Sequence, residues 1–145
     1  MEIVIKPVLN SMPLTQLLAA CNLPVSDLSC AQSLHLFGAF SGSDLIGTIG
    51  LEITAPVALL RSLAVASAYR SQGVGERLVA LAERHAAMNG VDALYLLTTT
   101  AAPFFTKLGY AMAERANAPA AIQSTAQFSG LCPASSTFMV KYRAA

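Results

Sequence analysis

Leu63-Ala64-Val65-Ala66-Ser67-Ala68-Tyr69-Arg70-Ser71-Gln72-Gly73-Val74-Gly75-Glu76-Arg77-Leu78 decides the reading of this chain. An apolar strand runs into a short turn carrying Arg70-x-x-Gly73-x-Gly75, and an amphipathic helix follows at once. Two glycines let the backbone approach a ligand with no Cβ in the way. The helix start offers unpaired N–H groups and the positive end of its dipole. Together these suit a phosphate or pyrophosphate.

Two common phosphate-binding motifs are excluded here. A dinucleotide fingerprint needs G-x-G-x-x-G, but the position three past Gly75 is Leu78. A mononucleotide loop needs Gly-Lys followed by Ser or Thr, and neither tripeptide occurs. What remains is R-x-x-G-x-G between a strand and a helix.

Outward from this turn, the pattern predicts an α/β chain. Ile3 to Val8 alternates as a strand. Ser11 suits an N-cap with Pro13 in the first turn, and Leu14, Leu17 and Leu18 form one helical face up to Cys21. Val25 to Gln32 is a candidate second short helix. Ser33–Phe40, Leu45–Ile53 and Val57–Val65 read as an antiparallel meander joined at Ser41–Asp44 and Thr54–Pro56. A helix is expected from Gly73 to Asn89, with Val74, Leu78, Leu81, His85 and Met88 on its inner face and Glu76, Arg77, Glu83 and Arg84 toward water. Ala93–Thr98 is a near-continuous apolar run, as in a buried parallel strand, which makes a β-α-β unit with Val57–Val65. Ala101–Leu108 then reads as a short helix stopped at Gly109, Tyr110–Glu114 as a brief strand, Asn117–Phe128 as a helix and Thr137–Arg143 as the closing strand.

Composition narrows the partners. With 145 residues, one domain spanning 1–145 is expected. A net charge of +1 and no basic run give nucleic acid little to bind. The chain is apolar, with a mean hydropathy of +0.55. Its charge-free runs are nevertheless interrupted by Asn, Gln and Pro, so neither is an apolar span of ~20 residues, and no membrane segment is expected. No basic region precedes an apolar stretch at the N-terminus, so a signal peptide is not expected. Cys21, Cys30 and Cys132 match no metal spacing and suit reduced thiols in a cytoplasmic protein. The apolar composition also suits a homodimer interface.

The order of elements around the glycine turn resembles the GNAT superfamily of acyl-CoA N-acyltransferases. So does Phe105-Thr106-Lys107-Leu108-Gly109-Tyr110, which looks like the family's aromatic-x-x-x-Gly-aromatic segment. The likeness covers nearly the whole chain. It implies the GNAT fold, a mixed and mostly antiparallel sheet with a central parallel strand pair and flanking helices. It also implies acetyl-CoA as donor. The residues it assigns to that donor are Leu63, Ala64 and Val65 along the strand and Arg70, Ser71, Gln72, Gly73, Val74, Gly75 and Glu76 at the turn. Thr99, Phe104, Phe105 and Lys107 would lie beside the pantetheine. No metal is implied.

A narrower likeness rests on Leu59–Val65, Leu96–Ala101 and Gln127–Pro133. These stretches resemble the N-acetyltransferases of bacterial arsenic-resistance operons, which implies an amino-acid-like acceptor of the arsinothricin or phosphinothricin type. One departure stands out. Many family members carry Tyr where this chain has Phe105, to protonate the leaving thiolate, and a phenyl ring has no proton to give. Water, Tyr110 or Thr99 could take the task, and a thiolate of pKa about 8.5 is already a fair leaving group.

Acyl transfer needs a neutral amine, a polarised carbonyl and close approach of the two. Glu52, among apolar neighbours in Gly50-Leu51-Glu52-Ile53, is the candidate base, either directly or through water, or else a counter-charge for the ammonium. Glu114 is a rival on the surface. Arg61 lies mid-strand among apolar residues and wants an anion, either a substrate carboxylate or Glu52 itself. Arg115 is a second candidate anion clamp. Thr98, with Thr99 and Thr100, ends the parallel strand and could touch pantetheine or substrate. His35 and His85 read as structural.

Two other functions fit less of the chain. One is acetylation of a protein N-terminus or lysine. The other is a non-catalytic acyl-CoA or metalloid-binding module using the three thiols.

Overall fold

The computed structural model describes residues 2–9, 11–21, 23, 34–131 and 136–142. The expected helix over 25–32, Cys30, Cys132 and Arg143 lie outside these residues.

Seven strands form one sheet in the order β1-β2-β3-β4-β5-β7-β6. They are β1 (Ile3–Val8), β2 (Leu34–Ser41), β3 (Asp44–Thr54), β4 (Val57–Val65), β5 (Ala93–Thr98), β6 (Ala111–Met112) and β7 (Thr137–Tyr142). Every neighbouring pair is antiparallel except β4 with β5. The helices are α1 (Met12–Ala20), α2 (Val74–Met88), α3 (Ala102–Lys107) and α4 (Ala120–Gln123).

Local chemistry accounts for the element ends. Ser11 caps α1 by accepting from the Leu14 N–H, and Leu14 and Leu18 bury completely. The β2–β3 hairpin turns at Gly42, which has φ of 62°. Gly109, at φ 98°, follows α3 where an L-residue would be strained.

The two faces of the sheet carry different loads. On one face α2 and α3 cover Ile49, Leu51, Ala58, Leu60, Leu94 and Leu96. On the other, Leu59, Tyr95, Phe138 and Val140 pack under Ala118 and Ile122, while Leu14 and Leu18 pack on Leu36 and Ala64. Burying each such leucine contributes about 1.5–3 kcal/mol. Both faces of β5 and β7 are therefore core, which is why Ala93–Thr98 reads as unbroken apolar sequence.

Two expectations are corrected. The buried face of α2 is Val74, Leu78, Val79, Ala82 and Ala86, and Met88 is 82% exposed. The helix lies close on the sheet through its alanines, which an apolar stripe drawn through larger side chains overlooks. The segment 117–128 is no continuous helix. A 3-10 turn (Arg115–Asn117) precedes α4, and a π turn covers Gln127–Leu131. Ser124 ends the four-residue helix, and Thr125 Oγ1 accepts from the Phe128 N–H.

Candidate active site

The site begins with a fault in β4. Cross-strand register runs Gly50 with Arg61 and then Thr48 with Ala64, so two residues, Ser62 and Leu63, oppose Ile49. Ser62 takes φ of 57°, and two polar contacts hold it there. These two contacts are the bond its carbonyl accepts from Thr48 Oγ1 at 2.8 Å and the bond its hydroxyl accepts from Arg61 Nε at 3.0 Å, and both donors are buried.

This bulge parts the sheet. β4 pairs with β5 only over Val57–Leu59 and Ala93–Tyr95, whereas β5 continues to pair with β7 through Thr98. Beyond Leu59 the two parallel strands leave a wedge. A cleft of about 920 Å³ occupies it and continues to the start of α2.

At the end of β4 the chain makes a 3-10 turn (Ser67–Tyr69) and then the glycine turn. Ser71 and Gly73 adopt left-handed φ of 65° and 81°. The first N–H bond into the helix runs from Arg77 to Gly73 O at 3.1 Å, so the amides of Val74, Gly75 and Glu76 precede it. Arg70 Nε donates to Val65 O at 3.0 Å, and its NH2 lies 3.6 Å from Cys21 Sγ. That guanidinium and the α2 terminus place positive charge at one end of the cleft. The ring of Phe104 comes so close to Gly75 that a Cβ there would sit 3.2 Å from Cζ. A Cβ at position 75 would thus press on α3, and the Phe104 ring would have to give by a few tenths of an ångström. α3 itself starts where Thr98 Oγ1 accepts from the Ala101 N–H at 2.9 Å.

Most of the expected residues converge. Leu63, Ala64, Val65, Arg70, Ser71 and Gly73 line the cleft, as do Val74, Gly75 and Glu76. Thr98, Thr99, Phe104, Phe105 and Arg61 line it too. Others are placed elsewhere. Gln72 turns back to bond Ala68 O, and Lys107 is exposed and does not line the cleft. Glu52 lies outside the lining, with Oε2 3.0 Å from Arg61 NH1 in a pair that is 10% and 1% exposed. The cross-strand pairing of Arg61 with Glu52 is therefore the arrangement present. A carboxylate so engaged is not facing an incoming amine. Arg115 also stays out of the cleft. Its NH2 donates to Ser136 O at 3.0 Å, and its guanidinium lies over the Phe128 ring.

Tyr110 is corrected as a thiolate proton donor. It is 2% exposed, donates to Glu83 Oε2 at 3.0 Å and does not line the cleft. Burial, then the Glu83 charge, push its phenol far above the usual value. Glu83 is corrected with it. It accepts from Lys141 Nζ at 3.1 Å as well, and Lys141 also donates to Leu108 O at the end of α3. These three side chains lock α2, α3 and β7 together behind the cleft. Glu114 is exposed, as expected.

Sequence reasoning gives no site role to Tyr69, Gln127 or Ser136 and weighs Cys21 only as a thiol ligand, yet all four line the cleft. Only Gln127 carried a signal, as part of the stretch in the narrower resemblance. Ser136 is 6% exposed, and among the described residues its Oγ has no hydrogen-bond partner. Leaving such a hydroxyl unmet costs about 1–3 kcal/mol.

A wedge between parallel strands, a glycine turn of free amides at a helix start and an aromatic helix laid beside it define a site for a long thioester with a phosphate-bearing head. The chain belongs to the acetyltransferase (GNAT) family, whose model matches residues 13–110. No curated protein sequence matches it.

Solved structures share the fold. N-acetylglutamate synthase from Neisseria gonorrhoeae, complexed with coenzyme A and N-acetyl-glutamate, superposes with a TM-score of 0.79 at 19% identity. That match covers 98% of this chain and 35% of that one, so this chain spans about a third of the synthase. A putative acyl-CoA N-acyltransferase from Klebsiella pneumoniae subsp. pneumoniae MGH 78578 gives 0.75 at 20% identity, covering 97% of each chain. The PaiA N-acetyltransferase from Thermoplasma acidophilum, in complex with coenzyme A, gives 0.73 at 18% identity, covering 99% of this chain and 100% of that one.

Proposed function

We propose that this chain acetylates the primary amine of a small, amino-acid-like acceptor by direct attack on the acetyl-CoA thioester in a ternary complex. The observation that carries the acceptor class is the charge of the cleft. Among its described lining residues the cations are Arg61 and Arg70, and the only carboxylate is Glu76, at the phosphate end. Nothing in that set attracts a polyamine or a lysine-rich peptide, while an acceptor bearing an acid oxygen meets no carboxylate except Glu76 at the far end. The narrower likeness to arsenic-operon enzymes points the same way, toward arsinothricin or phosphinothricin. So does the synthase neighbour, which was crystallised with N-acetyl-glutamate.

In this reading the donor's pyrophosphate lies on the amides from Gly73 to Glu76, beside Arg70. Its pantetheine enters the wedge along Leu63–Val65, where backbone N–H groups can polarise the carbonyl. The acceptor ammonium first loses one proton to water; the neutral amine nitrogen then forms the new C–N bond, the C–S bond breaks, and the second N–H proton passes through water to the leaving CoA thiolate. With Glu52 held by Arg61 and Phe105 without a hydroxyl, positioning carries most of the acceleration.

A thiol-release assay tests this with acetyl-CoA and a panel of phosphinothricin, arsinothricin, glutamate, spermidine and a lysine peptide. Turnover is expected on the amino-acid-like compounds. Turnover confined to spermidine or the peptide overturns the acceptor class.

A further inference from the structure

We propose that Ser136 is a specificity-determining residue whose hydroxyl holds an acid oxygen of the acceptor. The inference rests on the acetyl-transfer reading above and deepens it.

The cleft runs through the sheet. The glycine turn and α3 approach it from the face that α2 covers, where Phe105 joins the core of that side. Arg61 belongs to the opposite face. It precedes the bulge and shares strand parity with Leu59, which packs under Ile122. Ser136 shares parity with Phe138 and Val140 on that same opposite face, and it sits one residue before Thr137, the partner of Thr98. Gln127 reaches the cleft from the π turn after α4. An acceptor entering opposite the thioester therefore meets Arg61, Gln127 and Ser136.

Of these, Ser136 carries a hydroxyl with no partner among the described residues. Its carbonyl is fixed by Arg115, whose guanidinium lies over Phe128, and Phe128 in turn packs edge-on to Phe138. The residue is thus held rigidly, yet its Oγ has no partner among the described residues, although it is buried on the cleft lining. A fixed, buried hydroxyl is satisfied when a ligand brings an acceptor atom to it. Among the described lining residues the only carboxylate is Glu76, at the far, phosphate end, so an anionic oxygen is a fitting group on this face.

The test is Ser136→Ala, assayed at saturating acetyl-CoA with L-glutamate and L-phosphinothricin, and with butylamine as an acid-free amine. The acceptor KM for the two acids should rise about ten- to hundred-fold, the range for a lost hydrogen bond to a charged group. The KM for acetyl-CoA and the kcat/KM for butylamine should stay within twofold. The melting temperature should hold or rise, because the hydroxyl has no folded-state partner to lose. An unchanged acceptor KM for the acids overturns the inference alone and leaves the acetyl-transfer reading standing. An equal loss on butylamine, or a fall in melting temperature with a raised acetyl-CoA KM, overturns it as well, since that is what a structural role gives. A parent protein that acetylates none of the three amines overturns the reading and the inference together. Binding gives a second readout. L-Glutamate should raise the melting temperature of the CoA-loaded parent and not that of the variant.

Discussion

Arg61 NH1 and Glu52 Oε2 lie 3.0 Å apart across β3 and β4, one residue before the bulge that opens the cleft, with side chains 1% and 10% exposed. The same guanidinium holds the Ser62 hydroxyl through Nε. One buried cation thus binds the adjacent strand and stabilises the left-handed residue of the bulge. Removing either partner of a buried pair leaves an uncompensated charge, at a cost of about 3–5 kcal/mol.

Glu52→Gln should therefore lower the melting temperature by roughly 6–20 °C, taking about 2–4 °C per kcal/mol. Thermal denaturation checks this. A variant of unchanged stability that loses kcat with an altered acid limb would instead make Glu52 a base.

Gly73→Ala forces a Cβ onto a φ of 81°, at a cost of about 1–2 kcal/mol. Gly75→Ala pushes Phe104 off the start of α2. Both should raise the KM for acetyl-CoA, roughly tenfold for Gly75→Ala, the equivalent of about 1.4 kcal/mol. The acceptor KM should change less, and steady-state kinetics with each substrate varied separates the two.

Phe105→Tyr restores the hydroxyl that many relatives carry, but the ring is 5% exposed and packed edge-on between Phe104 and Tyr110. An added buried hydroxyl costs about 1–3 kcal/mol unless it finds a partner. A lower melting temperature without a gain in kcat is expected. A rise in kcat with a new alkaline limb would show that the wedge can use a phenol there.

His85 Nε2 lies 3.1 Å from His35 Nδ1 under Phe37. Burial, then His35, lower the pKa of His85 below its usual 6.5. The unfolded chain therefore binds more protons, so this contribution is present above pH 6.5 and is lost as pH falls through the folded value. Melting temperature should drop between pH 7.5 and 5.5, and His85→Gln should flatten the slope. Tyr95, pushed up to about 12 by burial and then Tyr142, acts with the opposite sign. Its contribution is whole below pH 10 and is lost on raising pH through 12.

Much of the fold was legible because local patterns carry it. Val57–Val65 and Ala93–Thr98 were readable to the residue, since both strands are apolar runs ending in turn or cap chemistry. The stripe on α2 was read one step off, because Ala82 and Ala86 say little by hydropathy and only contact with the sheet shows that they face it. The segment 117–128 carries helical composition, and only tertiary packing breaks it into a four-residue helix and a π turn.

The amino-acid sequence by itself determined the phosphate end of the site. Strand, glycine turn and helix are contiguous there, and the amides proposed to bind an anion belong to one short stretch of backbone. Tertiary structure alone decided the end of the cleft proposed for the acceptor. The bulge at Ser62 arises from pairing across two strands. Arg61 meets Glu52 nine positions away, and Ser136 reaches the wedge through pairing of Thr137 with Thr98. Those side chains are brought together by register, which no local spacing encodes.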